Sequence, residues 1–158
     1  MLTSQDVLAN RQKGCFVGLV VGDAMGAPVE FRKRGTFKAI TKYASGGKFN
    51  LQAGEWTDDT AMALCLAHSL IECNSFDAID QLNKYLAWWH FGYMSCNGKS
   101  IGIGKTIMRS LLRYSRTKEP YSSLTNEKFS GNGSIMRLAP ICIYYSNDFK
   151  QSCALCKT

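Results

Sequence analysis

The segment that most constrains the fold runs from Thr57 to Cys73. Its residues after Thr60 (AMALCLAHSLIEC) are apolar on most faces of a helix. Such a helix is stable only when other elements surround it, so we predict that it lies at the centre of the core. Thr57 is a suitable N-cap, and Asp58 and Asp59 fall in the first turn, where the helix dipole favours negative charge.

Two interpretations of this helix entry are open on the residues alone. Asp and Thr at a helix start are often only caps. Two adjacent carboxylates between two hydroxyls also present several hard oxygen atoms within one turn. Oxygen ligands of this kind suit Mg²⁺ or Ca²⁺, with water or substrate completing the coordination.

The rest of the chain shows helical periodicity and no convincing alternation with a period of two. The predicted class is therefore all-α, with one domain in 158 residues. Between the first helix and Thr57, the segment 31–56 has no sustained period, so we expect a long loop, and long loops in small domains are often functional. The predicted helices are 4–25, 57–73, 76–91, 101–114, 131–145 and a last segment from residue 148.

The first predicted helix carries glycines at four-residue intervals, Gly14, Gly18 and Gly22. Glycine weakens a helix but allows another backbone to come close. We therefore expect this helix to be buried and tightly packed, and to end near Pro28, with Glu30 just beyond it.

Composition narrows the class of protein. The formal net charge is +7, but the basic residues do not cluster strongly and no nucleic-acid-binding motif is present, so we do not expect a nucleic acid partner. Seven scattered cysteines indicate reduced thiols, and a single CxxC pair supplies only half of a zinc ligand set. The longest apolar run is too short to span a membrane, so we expect a cytoplasmic protein without a membrane partner.

Two glycine-rich turns precede predicted helices and could hold phosphate groups through backbone N–H groups. The turns are 98–104 (GKSIGIG) and 131–134 (GNGS). The first invites comparison with a nucleotide-binding P-loop, but Gly98 is one residue too early and the preceding segment is a predicted helix rather than a strand. Tight connections between helices explain these turns equally well.

Four motifs together resemble the ADP-ribosylglycohydrolases, a family that includes the dinitrogenase-reductase-activating glycohydrolases. They occur in the family's order and approximate spacing, from about Arg11 to Tyr145. The motifs are 22–30 (GDAMGAPVE), 56–60 (WTDDT), 101–106 (IGIGKT) and 131–140 (GNGSIMRLAP).

The resemblance implies a compact orthogonal helical bundle with a binuclear Mg²⁺ site, or Mn²⁺ in some members, below an ADP-ribose cleft. It implies that Thr57, Asp58 and Asp59 are metal ligands and that Glu30 is the catalytic acid/base or metal-gating group. The glycine-rich turns would then hold the diphosphate and adenosine. The implied substrate-binding residues are Gly102, Ile103, Gly104, Asn132, Gly133 and Ser134.

The same resemblance implies a difference in length. Family members are about twice as long, and their second half carries an Asp-x-Asp-type motif that completes the metal site. After Pro140 this sequence has only one acidic residue, Asp148. We therefore expect a truncated, N-terminal half of the domain.

The expected partner is an ADP-ribosylated protein or an ADP-ribose conjugate. Because the second half with its metal-ligand motif is missing, three hypotheses remain. The chain is a hydrolase, either alone or completed by a second copy or a complementing subunit. Alternatively, it is a non-catalytic member that binds ADP-ribose or serves a structural role, or it is a truncated or frame-interrupted remnant that folds poorly.

Overall fold

The computed structural model describes residues 3–121 and 131–156, and in these ranges the protein is a bundle of helices. The only β-type pairing among them is an isolated bridge between Gly46 and Leu51, so the predicted all-α class is confirmed. The α-helices are α1 (Ser4–Gly26), α2 (Asp58–Cys73), α3 (Ala78–Phe91), α4 (Lys105–Thr117), α5 (Ala139–Tyr144) and α6 (Phe149–Leu155), and short 3-10 helices cover Ala27–Val29 and Asn132–Arg137.

Helix α2 lies at the centre of the bundle, as predicted, and contacts α1, α3 and α5. Its residues contribute to both hydrophobic clusters. Met62 and Cys65 pack with Trp88 of α3 and Leu111 of α4, whereas Leu70 packs with Ile141 of α5 on another side. The apolar sequence of α2 is therefore explained by neighbours on several faces.

The boundaries of α3 follow from local sequence signals. Asn74 adopts a left-handed conformation and ends α2. Asp77 then caps α3, because its carboxylate accepts hydrogen bonds from the backbone N–H groups of Ile79 and Asp80. Both features agree with the predicted break at 74–75.

The prediction that α1 is a buried, tightly packed helix is wrong for the described residues. Only Ala24 of this helix is buried, and Val17 is 58% exposed. Within the described ranges, no atom lies within 4 Å of a Cβ placed on Gly14, Gly18 or Gly22. These three glycines therefore make no close approach to a described element.

Two other helix boundaries also differ from the prediction. Helix α4 begins at Lys105 rather than residue 101, because Gly102 has a left-handed conformation and belongs to an extended turn. The predicted helix 131–145 is divided into a 3-10 helix and α5. Pro140 lies in the first turn of α5, where no helical hydrogen bond needs its missing N–H. Proline cannot lie in the interior of a longer α-helix without breaking it, so the two helices stay separate.

The segment between Glu30 and Thr57 is the long loop that the sequence predicted, and it returns to the bundle at defined points. Gly46 and Leu51 exchange backbone hydrogen bonds of 2.7 and 2.9 Å. A Cβ on Gly47 would lie 2.7 Å from the Cα of Pro28, so this part of the loop packs directly on the end of the first motif. Among the described residues, no helix is both long and apolar enough to cross a membrane.

Candidate functional site

Asp23, near the end of α1, holds the start of α2. Its carboxylate accepts hydrogen bonds from the backbone N–H groups of Thr57 and Thr60, at 3.0 and 3.1 Å, and from the hydroxyl of Thr57 at 2.7 Å. The side chain of Thr57 therefore makes no cap of its own, although the residue occupies the N-cap position. The predicted local cap is replaced by a carboxylate 34 positions earlier in the chain.

Asp58 and Asp59 follow this cap and lie in an environment that opposes their ionisation. Asp58 is only 8% exposed. Burial, and then the charge of Asp59, raise the pKa of Asp58 to about 7. Burial, followed by the charges of Asp23 and Glu30, raises the pKa of Asp59 to about 6. Carboxylates raise one another's pKa values in this way when they are held close together, because each negative charge disfavours ionisation of the next group.

Glu30 completes the carboxylate cluster, which we define as Asp23, Glu30, Asp58 and Asp59. It follows the 3-10 helix Ala27–Val29, and its side chain is on the open side of the cluster. Burial and Asp23 raise the pKa of Glu30, whereas Lys48 from the long loop acts to lower it. An open depression of about 330 Å³ is lined by Asp23, Glu30, Thr57 and Asp59 together with small residues of the first motif.

The first glycine-rich turn lies against the same cluster. Gly102 has a φ of +91°, and a Cβ at this position would be 2.1 Å from Oδ1 of Asp58. Only glycine permits this approach of the backbone to the carboxylate. Ile103 packs against the hydrophobic core and anchors the turn, while Gly104 is the N-cap position of α4. The structure thus brings residues 102–104 to the predicted metal ligands.

The second glycine-rich turn lies against α4. A Cβ on Gly133 would be 2.9 Å from Cδ1 of Ile107, and a Cβ on Gly131 would be 3.3 Å from the hydroxyl of Thr106. Gly133 and Ser134 line a cavity of about 380 Å³ whose lining includes none of the four clustered carboxylates. Asn132 starts the 3-10 helix, and its side chain is outside the described part. The substrate-binding roles of Asn132, Gly133 and Ser134 stay predictions.

The carboxylate cluster contains the type of donor atom that a hard divalent cation prefers, but the described residues do not complete a metal site. Glu30, Asp58, Asp59 and the hydroxyl of Thr57 offer oxygen ligands, and a cation would offset the mutual repulsion of the carboxylates. Among the described residues, no three carboxylate, histidine or cysteine side chains form a group that could hold a metal ion. The remaining positions of an octahedral shell would therefore need water, substrate or groups from another polypeptide.

Comparison with known proteins decides the family. The sequence profile of the ADP-ribosylglycohydrolase family matches residues 4–157. The chain belongs to the ADP-ribosylglycohydrolase family.

Two relatives of this family show how far the similarity extends. ADP-ribosylarginine hydrolase Tri1 of Pseudomonas putida (strain GB-1) is 37% identical over 151 residues, covering 96% of this chain and 40% of the relative. ADP-ribosyl-[dinitrogen reductase] glycohydrolase of Rhodospirillum rubrum is 34% identical over 141 residues, covering 85% of this chain and 44% of the relative. The chain therefore spans less than half the length of these curated relatives.

The fold comparison agrees with this assignment. A solved structure described as an ADP-ribosylglycohydrolase-related protein complex superimposes with a TM-score of 0.79 at 39% sequence identity. The match covers 95% of this chain and 47% of that structure. The family assignment and the ADP-ribosylglycohydrolase fold are thus confirmed.

The roles of Asp23 and Lys48 do not follow from the motifs in the sequence. Asp23 is the only charged residue between Lys13 and Glu30, within a segment of apolar and small residues. An isolated charge in such a segment was the available signal. The contribution of Lys48 depends on how the long loop folds back, for which the local sequence contains no signal.

Proposed function

We propose that this chain forms the metal-binding and substrate-positioning part of a hydrolase that removes ADP-ribose from modified protein side chains or related conjugates. The observation that carries the proposal is the carboxylate cluster, where Asp58, Asp59 and Glu30 all have raised pKa values beside the Gly102 turn. The names of the related proteins support ADP-ribosyl conjugates as the substrate class.

The expected cofactor is Mg²⁺, as two ions by resemblance to the family, with Mn²⁺ as a substitute. Thr57, Asp58 and Asp59 would hold the metal. Glu30 lines the depression that Thr57 and Asp59 also line. When bound, the metal would orient the ribose hydroxyls and a water molecule near the scissile bond.

The protein's own residues contribute in separate ways. Asp23 keeps Thr57 and the first turn of α2 in place. Burial and Asp23 raise the pKa of Glu30, so its carboxyl group is better able to hold and release a proton at a reacting ribosyl oxygen. A carboxylate next to the anomeric carbon also stabilises the positive charge that develops there as the glycosidic bond breaks.

The shortage of ligands favours a second candidate function. Since the described residues do not form a complete metal site, the chain would bind ADP-ribose without hydrolysing its conjugates unless a second copy or another subunit supplies ligands. In both proposals the ADP-ribosyl group is the recognised part of the ligand.

A turnover assay tests the hydrolase proposal. The substrate is a peptide carrying ADP-ribose on arginine, and released ADP-ribose is quantified with Mg²⁺ and with chelator over a range of protein concentrations. We expect release that depends on Mg²⁺ and falls at least about 100-fold in Asp59→Asn, since a metal-orienting carboxylate is lost.

Glu55→Gln is the matched control for this assay. Glu55 lies in the loop that leads into α2, a few residues before Asp59. Its carboxylate accepts hydrogen bonds from Gln52 and Asn97 and does not line the depression. Its activity should remain within about twofold of the unsubstituted chain. ADP-ribose binding without any turnover, at all concentrations, would reject the hydrolase proposal in favour of the binding protein.

A further inference from the structure

The long loop carries a concentration of positive charge in addition to Lys48, which acts to lower the pKa of Glu30. We call residues 31–50 the basic loop. It contains six of the 19 lysine and arginine residues and no aspartate or glutamate. All six side chains are exposed: Arg32, Lys33, Arg34, Lys38, Lys42 and Lys48.

None of these cations takes part in an ion pair with another described residue. Two of them are held over aromatic rings instead. Nζ of Lys48 lies 4.0 Å from the ring centre of Phe31, and Cζ of Arg32 lies 5.5 Å from that of Phe37. The other cations of the basic loop project from exposed positions with their charges uncompensated by any described carboxylate.

The basic loop is fixed next to the depression. It starts directly after Glu30, and it returns where Gly47 packs on Pro28. Phe31, the first residue of the basic loop, is 67% exposed and has a positive φ of 65°. The basic loop is therefore anchored at both ends beside the depression that Asp23, Glu30 and Asp59 line.

We propose that the basic loop is a docking surface for an acidic segment of the protein that carries the ADP-ribosyl group. This proposal rests on the proposed function, in which the modified side chain binds at the depression. It adds the charge of the target surface that the chain would recognise. Lys33, Arg34, Lys38 and Lys42 would face carboxylates of the target, while exposed Phe31 and Tyr43 add apolar contact.

The number and exposure of the cations favour an acidic protein over a small anion. Six exposed lysine and arginine side chains carry more positive charge than a single diphosphate group would neutralise. The sequence contains no nucleic-acid-binding motif, which favours an acidic protein over a nucleic acid.

Fluorescence anisotropy with a labelled peptide of ten glutamates tests the docking surface without requiring turnover. We expect the chain to bind the peptide at low salt and to lose affinity as ionic strength increases. The triple variant Lys33→Glu, Arg34→Glu and Lys38→Glu should bind at least about tenfold more weakly, because attraction is replaced by repulsion.

A matched triple variant keeps the change in net charge equal. Arg11→Glu, Lys13→Glu and Arg116→Glu alter exposed residues away from the basic loop, and we expect less than about a twofold loss of affinity. Equal losses in both triple variants would overturn the proposal, because net charge alone would then explain binding. Failure of the chain to bind the peptide would also overturn it.

Two further ligands separate this proposal from its alternatives. Tighter binding of a single-stranded oligonucleotide of ten residues, lost in the loop variant, would replace the acidic protein with a nucleic acid. ADP-ribose affinity, measured by calorimetry, should be the same in the loop variant and the unsubstituted chain. A loss of ADP-ribose affinity confined to the loop variant would assign the cations to the diphosphate group and overturn the docking proposal. If no variant binds ADP-ribose, the proposed function is contradicted, but the peptide result still tests whether the basic loop binds acidic segments.

Discussion

Asp58→Asn should stabilise the metal-free protein at pH 7.5 and remove most of its response to Mg²⁺. The pKa of Asp58 in the folded protein is about 7, against an ordinary value of 3.8. Below pH 3.8 the group is protonated in both states and costs nothing. Between these two values the folded state holds more protons, so stability falls as the pH increases, and the full cost is present above about pH 7.

The neutral asparagine keeps the shape of the side chain and avoids this cost. We expect the variant to gain about 2 kcal/mol at pH 7.5, or about 5 °C in melting temperature, and to gain nothing near pH 3.5. Mg²⁺ should raise the melting temperature of the unsubstituted chain, because a ligand that binds only the folded state stabilises it. The increase should be much smaller in the variant.

Glu119→Gln is the control for this melting experiment. It also removes one negative charge, but Glu119 is exposed and forms only a 4.0 Å ion pair with Arg113 among the described residues. Its melting temperature should change by less than about 1 °C, with a normal response to Mg²⁺. A variant at Asp58 that melts lower at pH 7.5, or that responds fully to Mg²⁺, would contradict the proposed metal site.

Asp23→Ala should have the second large effect, on both stability and metal binding. The substitution leaves the N–H groups of Thr57 and Thr60 and the hydroxyl of Thr57 without their acceptor. We expect a loss of about 3 kcal/mol in the free energy of unfolding, because part-buried donors lose their hydrogen bonds. Affinity for Mg²⁺ should fall at least about tenfold, since the proposed ligands Thr57, Asp58 and Asp59 are no longer held in position.

Asp77→Ala separates this positioning role from ordinary helix capping. Asp77 caps α3 by the same type of carboxylate hydrogen bond, but on an exposed surface. It should cost about 1 kcal/mol and leave Mg²⁺ affinity unchanged. The conservative Asp23→Asn retains one carbonyl oxygen, so it should restore most of the stability. Equal stability losses in the two alanine variants, with unchanged metal affinity in both, would show that Asp23 is only a cap.

The sequence predicted those parts of the fold that depend on local signals. Asn74 and Asp77 mark the end of α2 and the start of α3, and the apolar faces of α2 require a central position. The start of α4 was placed too early because the conformation of Gly102 is set by its contact with Asp58, a residue far away in the chain. The burial of α1 was also wrongly predicted, since the apolar residues of a helix do not show whether another element covers them.

The candidate site shows the same division between local and long-range information. Thr57, Asp58, Asp59 and Glu30 could be proposed from motifs, and the structure places them around one depression or directly beside it. Asp23 accepts hydrogen bonds from a helix start more than 30 residues later, and the charge of Lys48 acts on Glu30 because the loop returns to the bundle. Neither interaction has a local pattern, so both became visible only in three dimensions.

The central claim is that the carboxylate cluster and the Gly102 turn form a metal-dependent site for ADP-ribose. The most direct test is calorimetric titration of ADP-ribose into the purified chain, first with Mg²⁺ and then with chelator, after a cooperative thermal transition has shown that the protein is folded. We predict binding of one ADP-ribose per site with Mg²⁺ and its loss with chelator. Absence of binding by the folded chain, or equal binding with and without metal, would contradict the account.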